Sequence, residues 1–208
     1  MAQVSTAKRI GYFLILLVVV GGMVGSYVLT TYQVMNPNPE DEASRREINE
    51  LQQRLTDYQA WQTKTAQKYS DRYYPEFKAY EKVNQAYNAE SVKELKTVDL
   101  KVGDGAEITA ETAYQAYYIG WLPNGDVFDG SFDDGKLKMP LTGGNMIEGW
   151  NEGVLGMKMN GVRELTIPAD LAYGESAGGT IPANSPIKFV LMVIPPLTDE
   201  DVAGRPQL

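Results

Sequence analysis

Neither cysteine nor histidine occurs in the 208 residues. Without cysteine there are no disulfides and no thiolate chemistry, an absence that leaves the compartment open because exported bacterial proteins also lack disulfides in many cases. Without imidazole, Ser-His and Cys-His nucleophiles, imidazole base catalysis and the usual transition-metal sites are excluded. The chain therefore predicts no metal and no cofactor. It also lacks a basic stripe with interleaved aromatics. The formal net charge is -8, and residues 98–208 hold 16 of the 27 acidic but only 7 of the 19 basic side chains. Such a surface repels phosphate backbones and argues against nucleic-acid partners.

What is present differs between the two ends. Ile10 to Leu29 is a run of 20 uncharged residues rich in Leu, Val and Ile. At helical rise it spans about 30 Å, the thickness of a bilayer's hydrocarbon core. The spacing predicts a transmembrane helix over 10–31; the competing reading is a cleaved signal peptide, for which the run is long and no small-x-small cleavage pattern follows. Lys8 and Arg9 on the short flank, against Glu40, Asp41 and Glu42 on the other, place residues 1–9 in the cytoplasm and the rest outside. Two small-xxx-small pairs, Gly21 with Gly25 and Gly22 with Ser26, permit a homodimer through this helix, although an ordinary lipid-facing anchor carries such glycines too.

Asn36-Pro37-Asn38-Pro39 ends the apolar helix and opens a segment, 32–96, read as linker and helical stalk. Ile48, Leu51, Leu55 and Tyr58 form an amphipathic stripe, which continues into Gln62, Thr65 and Tyr69 and is too polar there for a long coiled coil. Pro75 is expected to interrupt the helix. Beyond it Phe77, Tyr80, Val83 and Tyr87 recur at near-helical spacing, predicting a second short helix whose aromatic face either docks on a neighbouring domain or binds exported polypeptide.

From Val98 the texture changes to short apolar or alternating runs punctuated by Gly, Pro, Asn and Asp. Strands are predicted over 112–122, 127–128, 162–167 and 187–194, with a tight turn at Pro123-Asn124-Gly125-Asp126 and a short helix between Met146 and Met157. The last strand is apolar on both faces and should lie centrally. The resulting class is α+β, one antiparallel sheet over one short helix.

The segments YYIGWLPNGDVFDGS (117–131), MIEGWNEGVLGMKMNGVRELTIPADLAYG (146–174) and IPANSPIKFVL (181–191) resemble the FKBP-type peptidyl-prolyl cis-trans isomerases in order and spacing across about 98–197, and look closest to bacterial members with an N-terminal extension. The resemblance implies a five- or six-stranded antiparallel sheet wrapped around the short helix, in an isomerase domain over 97–198 followed by a tail over 199–208. It implies prolyl isomerase activity on proline-containing polypeptides, with macrolide inhibitors as further ligands. Position by position it maps the pocket onto Tyr118, Phe128, Asp129, Ile147, Trp150, Tyr173, Ile181 and Phe189. Leu137 and Met139 stand where the family usually has Phe and are expected in the substrate-binding wall. Asp134 stands where many members have Arg, Gly130 where Ser is frequent, and Ala177 lies in the loop after Tyr173. These departures bear on substrate preference and macrolide affinity more than on catalysis.

Rotation about an X-Pro bond breaks no covalent bond, so it needs neither metal nor imidazole. Its barrier of about 18–20 kcal/mol is the loss of amide resonance. A dry aromatic pocket favours the twisted, less charge-separated amide over the planar one. Taken singly, Trp150, Phe128 and Phe189 would be core aromatics and Asp129 a turn residue. Together they make a proline-binding pocket, which serves an isomerase or a non-catalytic binding module or chaperone on the same fold. The expected localisation is the cell membrane, with the C-terminal domain extracytoplasmic.

Overall fold

The structure is a computed structural model that describes residues 39–176 and 179–207. The apolar run over 10–31, with its expected membrane helix and glycine pairs, and Ala177 lie outside the described residues. Among the described residues no helix is long and apolar enough to cross a membrane.

The first helix, α1, runs Pro39–Phe77. Proline suits a first helical position because its missing N–H has no intrahelical partner there, and Glu42 in the first turn complements the positive end of the helix. The chain divides at Leu55/Thr56 into two compact units. In the first, the described part is the opening of α1, whose side chains are exposed, including Ile48, Leu51 and Leu55.

In the second unit, 56–207, the rest of α1 belongs to the globular fold. Tyr69, Tyr73 and Phe77 recur every four residues and are buried. This stripe carries the helix past Pro75, which lies within it. The expected break appears two residues later, as a tightening into a 3-10 turn at Lys78–Tyr80. No second α-helix follows there. Residues 81–95 form a strap with one more 3-10 turn, Ala89–Ser91. The strap is tied down by Trp121 Nε1 donating to the Gln85 carbonyl (3.0 Å), the Tyr87 amide to the Pro123 carbonyl (2.9 Å) and the Tyr87 hydroxyl to the Pro186 carbonyl (3.0 Å). Phe77, Tyr80, Val83 and Tyr87 all pack on the sheet, so the aromatic face docks.

The sheet has six strands: β1 (Lys96–Lys101), β2 (Gln115–Trp121), β3 (Val127–Gly130), β6 (Leu141–Thr142), β7 (Val162–Ile167) and β8 (Ile187–Ile194), while β4 (Phe132–Asp133) and β5 (Lys136–Leu137) make a separate hairpin. The order is β1-β7-β8-β2-β3, with β6 sharing the β2 edge, and every pairing is antiparallel. The two-faced apolar strand β8 is central. Its Ile187, Phe189, Leu191 and Val193 join one core cluster, and Val190, Met192 and Ile194 the other. The first cluster lies under a six-residue helix, α2 (Glu148–Gly153). The second lies under Tyr69, Tyr73 and Phe77 of α1.

α2 is too short to be stable alone and is fastened at its end by Arg163 on β7. Nη1 of Arg163 donates to the Gly153 and Leu155 carbonyls (2.9 and 3.0 Å), while Nε and Nη2 grip Asp99 of β1 (2.6 and 3.1 Å). The C-terminal segment, expected as a plain tail, contains α3 (Asp199–Ala203), capped by the Thr198 hydroxyl. It docks on α1: Lys68 Nζ and the Tyr69 hydroxyl donate to the Asp201 carboxylate, and Trp61 Nε1 to the Asp201 carbonyl.

Candidate active site

On the α2 side of the sheet, Tyr118, Phe128, Asp129, Leu141, Met146, Ile147, Trp150, Tyr173 and Phe189 enclose a hollow of about 220 Å³. A drug-sized ligand usually occupies about 300–1,000 Å³, so this space suits one ring and its flanking amides. A larger hollow of about 410 Å³ between α1 and α3 is lined by Lys64, Lys68, Glu200 and Asp201, without a comparable set of converging aromatic rings.

Each wall residue is placed by a recognisable local cause. Alternation along β2 sends Tyr118 toward α2 and its neighbours Tyr117 and Ile119 toward α1. Phe128 and Asp129 come from β3, paired to β2 across a register shift at Gly120/Trp121. Gly120 is required there: a Cβ at this position would fall 2.5 Å from the Phe189 ring and 2.7 Å from that of Phe128. Those two rings meet edge to face at 5.5 Å. Trp150 lies one turn into α2, nearly perpendicular to Tyr118 (86°, 5.5 Å) and Phe189 (80°, 5.0 Å). Such edge contacts align each ring's positive rim with its neighbour's negative face. The floor is therefore an interlocked set of rings with fixed planes.

One polar pair marks the wall. The Tyr118 hydroxyl donates to Asp129 Oδ2 at 2.6 Å, and Asp129 Oδ1 accepts from the Gly130 amide at 2.8 Å. Burial, with the Asp129 carboxylate as a second cause, pushes the Tyr118 phenol well above its ordinary value of 10.0, so it remains a donor at neutral pH. Ser131 stitches the pair to the sheet, its Oγ accepting from the Tyr118 amide (2.9 Å) and its amide donating to the Tyr118 carbonyl (2.8 Å). Tyr173 stands at the rim, 40% exposed, where its hydroxyl can meet a bound chain. Ile147 precedes α2, and its carbonyl accepts from the Trp150 and Asn151 amides.

Seven of the eight mapped pocket residues thus converge. The eighth, Ile181, is buried in the same apolar cluster but does not line the hollow. Leu137 and Met139 do not line it either. Leu137 is 1% exposed and lies in the other cluster, under α1. The cause is hairpin register. Asp134 and Gly135 both have positive φ, 43° and 77°, which makes the tight two-residue turn for which Asp-Gly is suited. That turn pairs Phe132 with Leu137. The Phe132 ring stacks on Phe77 (5.2 Å, 4°), and the Leu137 amide donates to Ser70 Oγ at 2.8 Å. Leu141 and Met146, which do line the hollow, were not singled out in the sequence. Met146 immediately precedes Ile147 and was the readable signal; Leu141, in a two-residue strand, carried none.

A family model described as FKBP-type peptidyl-prolyl cis-trans isomerase matches residues 105–194. An FK506-binding protein of Neisseria meningitidis serogroup B is 43% identical over 93 residues, covering 44% of this chain and 85% of that protein. FK506-binding protein 1A of Neurospora crassa is 40% identical over 105 residues, covering 48% of this chain and 88% of its own length. Among solved structures, a peptidyl-prolyl cis-trans isomerase from Pseudomonas syringae pv. tomato aligns with a TM-score of 0.43 at 25% identity, over 67% of this chain and 92% of that one. With matched motifs spanning the sheet, α2 and the aromatic hollow, the chain belongs to the FKBP-type peptidyl-prolyl cis-trans isomerase family.

Proposed function

We propose that the chain catalyses cis-trans isomerisation of X-Pro bonds in extracytoplasmic polypeptides and assists their folding while anchored to the cell membrane through residues 10–31. The observation that carries the catalytic part is the mostly apolar hollow of interlocked rings with a single hydrogen-bonded polar pair, Tyr118 and Asp129, on its wall. In this reading Trp150, Phe128, Tyr118 and Phe189 surround the prolyl ring and exclude water. The twisted amide has lost resonance and charge separation, so it loses less than the planar amide on leaving water. The Tyr173 hydroxyl or the Ile147 amide holds a substrate carbonyl, fixing one side of the bond while the other turns. Asp129 accepts the hydrogen bond of the Tyr118 hydroxyl and fixes that phenol's direction. No proton needs to be transferred.

The membrane location rests on the uncharged run and on Lys8 and Arg9 beside it. Protease added to intact cells should remove the C-terminal domain and leave a short membrane fragment; full protection would reverse the orientation. Self-association through Gly21 and Gly25 is a separate proposal, tested by replacing both with Leu and measuring association in detergent. Unchanged association would remove it.

For the catalytic reading, the test is proline-limited refolding of a slow-folding client with the full-length chain in mild detergent. Acceleration that disappears with Phe128→Ala in a still-folded protein supports it. A folded chain that binds prolyl peptides without accelerating any of them would instead make the hollow a grip.

A further inference from the structure

The Trp150 indole N–H donates to the hydroxyl of Tyr114 at 3.1 Å, inside the core. Tyr114, just ahead of β2, does not line the substrate hollow. Its ring is buried and held closely: a Cβ on Gly143 would overlap it, and the Gly143 amide donates to the Tyr114 carbonyl at 3.1 Å. On its other side Tyr114 borders a second hollow of about 320 Å³, together with Ile108, Thr112, Asn151 and Val154.

Indole has one donor and no acceptor, and a buried donor without a partner is strongly disfavoured. The direction of that N–H therefore fixes the rotation of the whole ring. The edge contacts of Trp150 with Tyr118 and Phe189, at 86° and 80°, depend on the same rotation. We propose that Tyr114 is a positioning residue of the prolyl site, whose hydroxyl holds the Trp150 ring at one rotation and keeps its N–H out of the substrate hollow. This rests on the reading of that hollow as the prolyl site. Replacing Tyr114 with Phe keeps the ring in its place beside Gly143 but leaves the indole donor unpaired. The indole then turns, or admits water from the hollow behind Tyr114. Either outcome changes the floor that the proline meets without replacing a residue that lines the hollow.

The test uses the full-length chain, isotopically labelled and in mild detergent, as wild type, Tyr114→Phe, Trp150→Phe and the double variant. Ile194→Val, in the opposite cluster, controls for lost packing. The chain has three tryptophans, and the indole N–H resonance missing from Trp150→Phe identifies the one that matters. In Tyr114→Phe that resonance is expected to move upfield while the other two stay, and kcat/KM to fall about three- to tenfold, the worth of one hydrogen bond. Ile194→Val should leave kcat/KM unchanged. In the Trp150→Phe background, Tyr114→Phe should cost nothing further, because its effect runs through the indole. An unmoved resonance, or the same loss in both backgrounds, overturns the proposal. A wild-type chain without isomerase activity would sink the prolyl-site reading instead, leaving the indole resonance alone to decide whether Tyr114 sets the ring.

Discussion

Removing the ring of Phe77 tests whether the helix ahead of the sheet is part of the folded domain. Phe77 has no exposed surface, stacks on Phe132 at 5.2 Å and touches Tyr117 and Tyr80 at 6.3 and 5.8 Å between centroids. Transfer of a phenylalanine side chain out of water is worth about 1.5–3 kcal/mol. Truncation to alanine adds the cavity left between α1 and the sheet, giving about 3–5 kcal/mol in all. A domain of ordinary stability, about 5–15 kcal/mol, would lose a large share of it. For the unit over 56–207 this lowers the melting temperature by about 6–20 °C. Urea unfolding of the full-length chain, followed by tryptophan fluorescence, measures the loss. The same packing predicts that a fragment beginning at residue 97 aggregates or melts non-cooperatively, because Tyr117, Val190, Met192 and Ile194 lose their cover, whereas one beginning at 56 unfolds cooperatively. A loss below about 1 kcal/mol for Phe77→Ala, or a stable fragment from 97, would refute the docking.

Leu137→Phe, which restores the family's usual residue, should not tighten macrolide binding, because Leu137 faces α1. It should destabilise by about 1–3 kcal/mol through overpacking, and titration of a macrolide beside thermal melts separates the two effects. Tyr118→Phe should lower turnover by about tenfold or more, since the bond to a carboxylate is worth about 1.5–3 kcal/mol. The parent rate should be flat between about pH 6 and 8, because the chain has no histidine and Tyr118 holds its proton there; a bell-shaped profile would point to an acid-base step. Bonds from Lys68, then Thr198 and Tyr69, depress the Asp201 carboxyl from 3.8 to about 2. The sign follows directly: its contribution to α3 docking is complete above about pH 4 and is lost as pH falls toward 2. Trp61, bonded to the Asp201 carbonyl, should report that acid step by fluorescence, and Asp201→Asn should remove it.

Strands whose faces are both buried were legible. The bounds of β7 and β8 follow from unbroken or alternating apolar residues between Gly, Pro and Asn, and the two-faced β8 does lie centrally. β1 was not, because all six of its side chains are exposed, and its alternating pair, Val98 and Leu100, is too short a pattern to mark a strand and faces away from the core. α1 was legible in kind but not in purpose. A heptad frame puts Gln62, Thr65 and Tyr69 inward, and Thr65 and Tyr69 are buried, but burial then continues every four residues through Tyr73 and Phe77, a stripe that faces a sheet instead of a partner helix. The hollow was read from residue types at matched spacings, which places strand-borne Tyr118, Phe128 and Phe189 reliably. Leu137 was misplaced because a two-residue turn decides which way a hairpin points, and a shift of one residue reverses every side chain. Tyr114 gave no signal, since its role lies in a single hydroxyl.

The central position of β8 also bears on when the molecule can fold. Ile187–Ile194 is the last strand among the described residues, and β2 and β7, some 70 and 25 residues earlier, both hydrogen-bond to it and not to each other. During synthesis the two halves of the sheet cannot join until this strand has left the ribosome. Until then, β1 with β7 and β2 with β3 and β6 are separate pieces, each with an unpaired edge where β8 belongs. Such distant pairings make folding slow and leave the nascent chain prone to aggregation. A chain built this way depends, in its own first seconds, on those open edges meeting no other partner before β8 arrives.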